Sequence, residues 1–427
     1  MNAEGSKTGL PCGWRLREVS SCTSHETLDG ADNMGEFMST FSRRRFLQTG
    51  AACAVLGSNS RLSANEWVMP QREIFGGDRV HFLFDGLSLT PLEYARLYWK
   101  LGGSGEIKRD SYLAGGTVEE LEKRFALELG KERAVFLPTG TLANHLALRT
   151  LSAGKSRALV QAESHIYNDS NDCVESLSQL NLIPLAEGKA TFTLAQVESA
   201  VNRAKNGPFP LQVGAIGIEC PVRRQQGQVF DFEEMKRIST YARKNSIKLH
   251  LDGARLYVAS AYTGIVPSQY AELFDTVYIS LYKYFNAPGG AILAGPKEIV
   301  EKVAHGRKLF GSGVYQGWPQ AAVALYYFDG FRERFKKATG IAQEIFAELN
   351  KQAAIRIEPI PGGTNIVKLL LNGIDVKEYQ AQLGKRGIQI HGPSPDFHGT
   401  ILIVNESLNS RPAAEIAKAF VESLPKA

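Results

Sequence analysis

From Arg79 onward, short apolar runs alternate with amphipathic stretches along the chain. TVEELEKRFALELG (Thr117–Gly130) reads as a helix, with Thr117 and Glu120 as a capping box and Gly130 as its C-terminal cap. AVFLPTG (Ala134–Gly140) reads as a strand entering a turn, and TLANHLALRTL after it as a helix. RALVQAES, LQVGAIGIEC, KLHLDGA and TVYISLY are short β-rich runs, separated by helical segments such as FEEMKRISTYARKNS. Strand–helix alternation of this kind predicts a largely parallel sheet with helices on both faces. A break falls near Gly317. Beyond it, PQAAVALYYFDGFRERFKKATGIAQEIFAELN predicts one long helix able to bridge two domains. GTNIVKLLL, GIQIHG and TILIVNES predict a small sheet with helices, and PAAEIAKAFVESL the last helix. No internal repeat or low-complexity block interrupts this order. The expected architecture is a large α/β domain followed by a small α+β domain.

Composition narrows the functional classes. With 427 residues, 44% of them hydrophobic, the chain can build a large core and two domains. The net charge is only +5, and no basic run with interleaved aromatics speaks for nucleic acid. No apolar stretch in the body of the chain is long enough to span a bilayer. The reading is a soluble globular protein. The cysteines, Cys12, Cys22, Cys53, Cys173 and Cys220, match no zinc or redox spacing, so no metal is expected. Cys220 reads as a small buried filler or as a thiol near a site.

Residues 1–64 read as an address rather than as fold. SRRRFLQ (Ser42–Gln48) and the weakly apolar TGAACAVLGSNSRLSA after it resemble a twin-arginine export signal, with Arg43 and Arg44 as the pair. Leu62-Ser63-Ala64 offers small residues for cleavage, and Met34 or Met38 would give a shorter leader. The alternative is a disordered basic tail. The expected location is the periplasm, or the cytoplasm if the leader does not function. Removal of residues 1–64 leaves Cys173 and Cys220, which an oxidising compartment would allow to pair.

Four local patterns carry chemistry. In HLDGARLY, an apolar strand ends in Asp252, and an acid there points to the crevice where α/β proteins bind ligands. In SLYKYFNAPGGAILAG, Lys283 follows another apolar strand. A lysine that forms an imine and a carboxylate that keeps a proton on a pyridine nitrogen are the pair that pyridoxal 5′-phosphate (PLP) requires. In PTGTLANH, Gly140 and Thr141 lie between strand and helix, where backbone amides and a hydroxyl suit a phosphate. His165 in ESHIYND, after another strand, is placed for proton transfer or for contact with the pyridine ring. Each has a plainer reading: a solvated lysine, an Asp-Gly turn, a helix cap, a structural histidine. Their order and their positions at strand ends favour PLP.

From about Asp110 to Gly313 the chain resembles the threonine aldolases of the β-eliminating lyases, which are fold-type I PLP-dependent enzymes. GGTVEELEKRFALELGK, FLPTGTLANHLALR, ESHIY, KLHLDGARLY and the Lys283 segment with APGG carry the resemblance, HLDGAR most specifically. It implies a mixed, mostly parallel seven-stranded sheet. Given the resemblance, the leader and the break near Gly317, the chain is expected to divide into the leader (1–64), an N-terminal arm (65–109), a PLP-binding domain (110–318) and a small domain that includes the bridging helix (319–427). Catalysis would rest on Lys283, His165 and Asp252. Gly140 and Thr141 would hold the phosphate, with a hydroxyl from Tyr282. Arg255 would lie near the cofactor and the substrate carboxylate. The partners implied are a small amino-acid substrate and further copies of the chain, as a homodimer or homotetramer.

The departures concern substrate more than cofactor. Tyr282 and Tyr284 flank Lys283 where the family has small residues, and are expected to reshape the pocket wall. Glu219-Cys220-Pro221-Val222 lacks the family's second histidine. Arg223 and Arg224 follow it, as a site for an acidic substrate or as surface charges. Leu402-Ile403-Val404-Asn405 stands where the small domain has an arginine for the substrate carboxylate, and leucine cannot form such a clamp. Tyr315 occupies another usual arginine position, and Phe84-Asp85-Gly86-Leu87-Ser88 replaces a Ser-Asp-Thr segment. The leading expectation is Cα–Cβ cleavage of a β-hydroxy amino acid to glycine and an aldehyde. The alternatives are β-elimination, transamination, or a PLP-fold binding protein without catalysis.

Overall fold

The computed structural model describes residues 76–425, so the arginine pair, the cleavage segment, Cys12, Cys22 and Cys53 lie outside the described residues. Along these residues run the strands β1 (Val80–His81), β2 (Arg133–Leu137), β3 (Arg157–Gln161), β4 (Asn181–Leu185), β5 (Val213–Glu219) and β6 (Lys248–Asp252). They continue with β7 (Thr276–Ser280), β8 (Ala291–Gly295), β9 (Ile355–Pro359), β10 (Ile366–Leu371), β11 (Ile388–Gln389) and β12 (Gly399–Ile403).

Seven strands form the main sheet in the order β2-β8-β7-β6-β5-β3-β4. Neighbours from β7 through β4 are parallel, and β8 runs antiparallel to both β7 and β2. Every residue of β5, β7 and β8 is buried. That follows from helices covering both faces, and it explains why these strands read as unbroken apolar runs rather than as alternating ones. The mixed, mostly parallel seven-stranded sheet is the expected fold class.

The second layer is smaller. β9, β10 and β12 form an antiparallel sheet with β10 at its centre. β1 and β11 make a separate two-residue parallel pair. Val80 and Phe82 share a core with Ala338, Leu369, Leu402 and Phe420, so the N-terminal segment packs with the C-terminal layer.

Two local expectations fail for identifiable reasons. The long helix after Gly317 is two helices, Trp318–Phe328 and Phe331–Leu349, broken at Asp329-Gly330. Gly330 adopts a φ of +70°, which ends helical hydrogen bonding. The second helix does the bridging: Phe331 and Phe335 join the core of the main sheet, whereas Ala342, Ile345 and Leu349 join the smaller one. The capping box at Thr117 is absent. That helix begins at Gly116, and the Thr117 hydroxyl instead accepts from the Lys108 amide at 2.8 Å.

Candidate active site

Because β3, β5, β6 and β7 are parallel, their C-terminal ends open on one edge of the sheet, where α/β folds place ligands. β2, antiparallel to β8, ends on the same edge. β6 ends in Asp252, which pairs with Glu219 of β5 on one side and Tyr278 of β7 on the other. Lys283 lies in the turn after β7, His165 just beyond β3, and Gly140 opens the helix Gly140–Ser152 after β2. A cleft of about 1190 Å³ collects these ends. Gly140, Thr141, His165, Asp252, Arg255, Tyr282 and Lys283 all line it.

Asp252 is buried and fixed through both oxygens. Oδ1 accepts from the Ala254 amide at 3.1 Å, and Oδ2 from Asn144 Nδ2 at 2.5 Å. Asn144 is itself held: its Oδ1 lies 2.9 Å from His250 Nε2, and His250 Nδ1 lies 2.9 Å from Thr276 Oγ1. Residues 250 and 252 share one face of β6, because strand side chains alternate, and that face meets the helix carrying Asn144. Burial pushes the His250 pKa down to about 4, so the imidazole is neutral. The proton positions then follow. Nε2 donates to Asn144 Oδ1, which leaves Nδ1 to accept from Thr276.

His165 donates its backbone amide to Glu219 Oε2 at 2.6 Å, and Arg223 donates its own to Glu219 Oε1 at 2.9 Å. Glu219 therefore staples the end of β5 to the segment after β3. Burial, reinforced by the Asp252 charge, pushes its carboxyl above the usual range. Burial also lowers the His165 pKa, with Lys283 and Arg223 adding to the shift against Asp252 and Asp169. His165 Nδ1 is sealed from solvent and has no hydrogen-bond partner.

Lys283 Nζ rests 4.6 Å above the Tyr282 ring and donates to its hydroxyl at 3.3 Å. Desolvation first, then the Arg255 charge, lower its pKa against the opposing pull of Tyr282, Asp252 and Asp85. The expectation that both flanking tyrosines shape the pocket needs correction. Tyr282 lines the cleft, but Tyr284 turns away into an aromatic cluster with Tyr257, Phe285 and Phe331.

Arg255 pairs through Nε with Asp85 Oδ2 at 2.9 Å, and Asn365 Nδ2 donates to Asp85 Oδ1 at 3.3 Å. In place of a small-domain arginine, the cleft has an apolar wall of Ile366, Ile401 and Ile403. Leu402 is fully buried behind it. Arg223 and Arg224 both pair with Asp169, and of the two only Arg223 lines the cleft.

At the head of the helix Gly140–Ser152, Thr139 is the N-cap, and its hydroxyl accepts from the Leu142 amide at 3.2 Å. The first amides of a helix have no carbonyl of their own to donate to, and the helix dipole favours an anion there. A Cβ at residue 140 would run into the Tyr278 hydroxyl, so the close packing of helix on β7 demands glycine. Cys173 and Cys220 are both free thiols, and Cys220 is buried.

Asp85, Asn144, Glu219, His250 and His391 belong to this site or support it, and motif reading singled out none of them for a role. Asn144 follows Gly140 by one helical turn, and His250 precedes Asp252 by one strand period. Both signals were present in the quoted segments.

The profile of the Beta-eliminating lyase family matches residues 106–370. The low specificity L-threonine aldolase of Saccharomyces cerevisiae is 31% identical over 283 residues, 65% of this chain and 72% of that protein. Low-specificity L-threonine aldolase 1 of Arabidopsis thaliana is 26% identical over 253 residues, 59% of this chain and 71% of that one. Among solved structures, Leishmania major threonine aldolase shares the fold with a TM-score of 0.62 at 19% identity, over 81% of this chain and 98% of that one.

Proposed function

This chain belongs to the β-eliminating lyase family, and from that premise we propose that it cleaves the Cα–Cβ bond of a β-hydroxy amino acid, releasing glycine and an aldehyde. The family is PLP-dependent. One observation carries the reading: the Lys283 amine and the Asp252 carboxylate follow neighbouring strands and open on one cleft beside a helix N-terminus.

The residues suit the cofactor. A half-buried amine, a carboxylate locked at the next strand end and a helix head for a phosphate match what a phosphorylated pyridine aldehyde offers. When bound, PLP supplies a carbonyl for amines and a ring that takes up the electron pair of a bond broken at Cα. Lys283 is its anchoring amine, and the lowered pKa raises the share of the neutral, nucleophilic form. Asp252 would keep a proton on the ring nitrogen. Gly140 and Thr141, with the Tyr282 hydroxyl, would hold the phosphate. His165 would help hold the ring, and Arg255, steadied by Asp85, would orient the substrate carboxylate.

The test is a product screen. Purified protein is expected to be yellow, and threonine or phenylserine to yield glycine and the corresponding aldehyde. Pyruvate and ammonia would move the reading to β-elimination, and a new amino acid formed from an added keto acid would move it to transamination. Colourless protein that takes up no added PLP would sink it.

We further propose that residues 1–64 send the protein to the periplasm by the twin-arginine route, and that the mature chain works as a homodimer or homotetramer. The SRRRFLQ stretch supports the first point. A reporter fused behind residues 1–64 is expected to reach the periplasm. Replacing Arg43 and Arg44 together with lysine is expected to hold it in the cytoplasm. Unchanged export in the double variant would refute the assignment.

A further inference from the structure

Cleaving Cα–Cβ of a β-hydroxy amino acid requires a group that takes the proton from the β-hydroxyl, and the acceptors around the cleft are mostly committed. Both oxygens of Asp252 accept hydrogen bonds within the protein, as do both of Glu219 and both of Asp85. Tyr94 donates to the Asn286 carbonyl at 2.9 Å, and the Tyr282 hydroxyl oxygen accepts a hydrogen bond from Lys283 Nζ. His165 Nδ1 is sealed off, and the reading above places its ring on the cofactor.

His391 is the exception. The parallel pair β1–β11 sets Val80 beside Ile388 and His81 beside Gln389. Continuing that register puts His391 beside Leu83, and its Nε2 lies 3.0 Å from the Leu83 carbonyl. A carbonyl only accepts, so Nε2 carries the proton and Nδ1 of the neutral ring carries the lone pair. Among the described residues Nδ1 has no partner, and it is not one of the buried atoms sealed from solvent. The ring lines the same cleft as Lys283.

The segment that holds the ring is itself anchored at the lysine. Gly86 packs so closely on the Lys283 carbonyl that a Cβ there would overlap it, and the Leu87 amide donates to Asn286 Oδ1 at 2.6 Å. Leu83 stands three residues before Gly86, a span of at most about 11 Å. The two-residue strand pair and this glycine therefore fix an imidazole base at the edge of the lysine's cleft.

We propose that His391 is the proton-transfer residue for the substrate β-hydroxyl, an inference that rests on the aldol-type reading above. The O–H bond breaks and its proton goes to Nδ1. The electron pair left on oxygen forms the aldehyde C=O bond. The Cα–Cβ bond breaks with its pair left on Cα, and Cα then takes a proton to give glycine.

The test compares His391→Gln with wild-type holoenzyme, because a glutamine amide can still donate to the Leu83 carbonyl. Phenylserine cleavage is expected to fall about 100- to 10,000-fold, the usual worth of general base catalysis. Exchange of the glycine Cα hydrogen in D2O involves no hydroxyl, and is expected to stay within about twofold on that basis. Unchanged cleavage overturns the proposal, and so does a parallel fall in both rates, which would mark a structural role. Independently of cofactor and substrate, the ¹⁵N resonances of His391 in the cofactor-free protein should report a protonated Nε2 and a bare Nδ1. The reverse tautomer overturns the proposal. If wild-type protein cleaves no β-hydroxy amino acid, the functional reading fails and this one with it. That failure shows in the wild type rather than in the variant.

Discussion

Lys283→Ala is expected to give a folded, colourless protein with lyase activity more than about 10⁴-fold below wild type, since the covalent anchor of the cofactor is lost. Folding should survive because the side chain supports little. Beyond its backbone it touches the Tyr282 hydroxyl and ring. The pKa shift gives the sign of any stability change. The folded pKa lies below the unfolded one, so the unfolded chain binds the proton more tightly and stability rises with pH across that window. At neutral pH and below, the cofactor-free wild type carries the cost of a desolvated ammonium, and alanine removes it. The melting temperature of the cofactor-free variant is therefore expected to equal or exceed that of cofactor-free wild type. Borohydride treatment followed by peptide mapping should place a pyridoxyl group on Lys283 in wild type and on no residue in the variant. Retained yellow colour together with borohydride-stable labelling elsewhere would show that another lysine is the anchor.

What the sequence disclosed and what it hid divide along chain distance. Asp252 and Lys283 were legible because each belongs to a local pattern, a polar residue at or just after the end of an apolar strand. Gly140 and Thr141 were legible for the same reason, at a strand-to-helix junction. The partners of these residues were not. Asp85 reaches Arg255 across 170 positions, and His391 reaches Leu83 across 308. The second contact depends on β1 and β11, which are two residues long and carry no periodicity to detect. The sheet was readable because its central strands are buried on both faces. The break at Asp329-Gly330 was hidden because apolar residues continue on either side of it, so hydrophobicity alone suggested one helix. The capping box failed on competition: the Lys108 amide, nine positions upstream, claims the Thr117 hydroxyl.

The second large effect is expected at Asp252, and the relay behind it makes the result interpretable. Asp252→Asn keeps shape and removes charge. To keep its contact, Asn144 must present Oδ1 instead of Nδ2, which in turn asks His250 to move its proton from Nε2 to Nδ1 and donate to the Thr276 hydroxyl. Each member of this chain can do so: an amide rotates, a neutral imidazole changes tautomer, and a hydroxyl turns from donor to acceptor. The variant should therefore fold, bind PLP and remain coloured. What it loses is the charge that holds a proton on the ring nitrogen. Two unit charges about 4 Å apart at an effective dielectric of 20 attract by about 4 kcal/mol, so turnover should fall by about a thousandfold. Asn144→Ala leaves the carboxylate charged but frees one oxygen from its hydrogen bond. It is expected to lower turnover by only about fivefold, in line with one net hydrogen bond of about 1 kcal/mol. Steady-state turnover and the visible spectrum of both variants check this order. Equal losses in the two would mean that Asp252 acts by packing rather than by charge, and a colourless Asp252→Asn would mean that the carboxylate is needed to bind the cofactor.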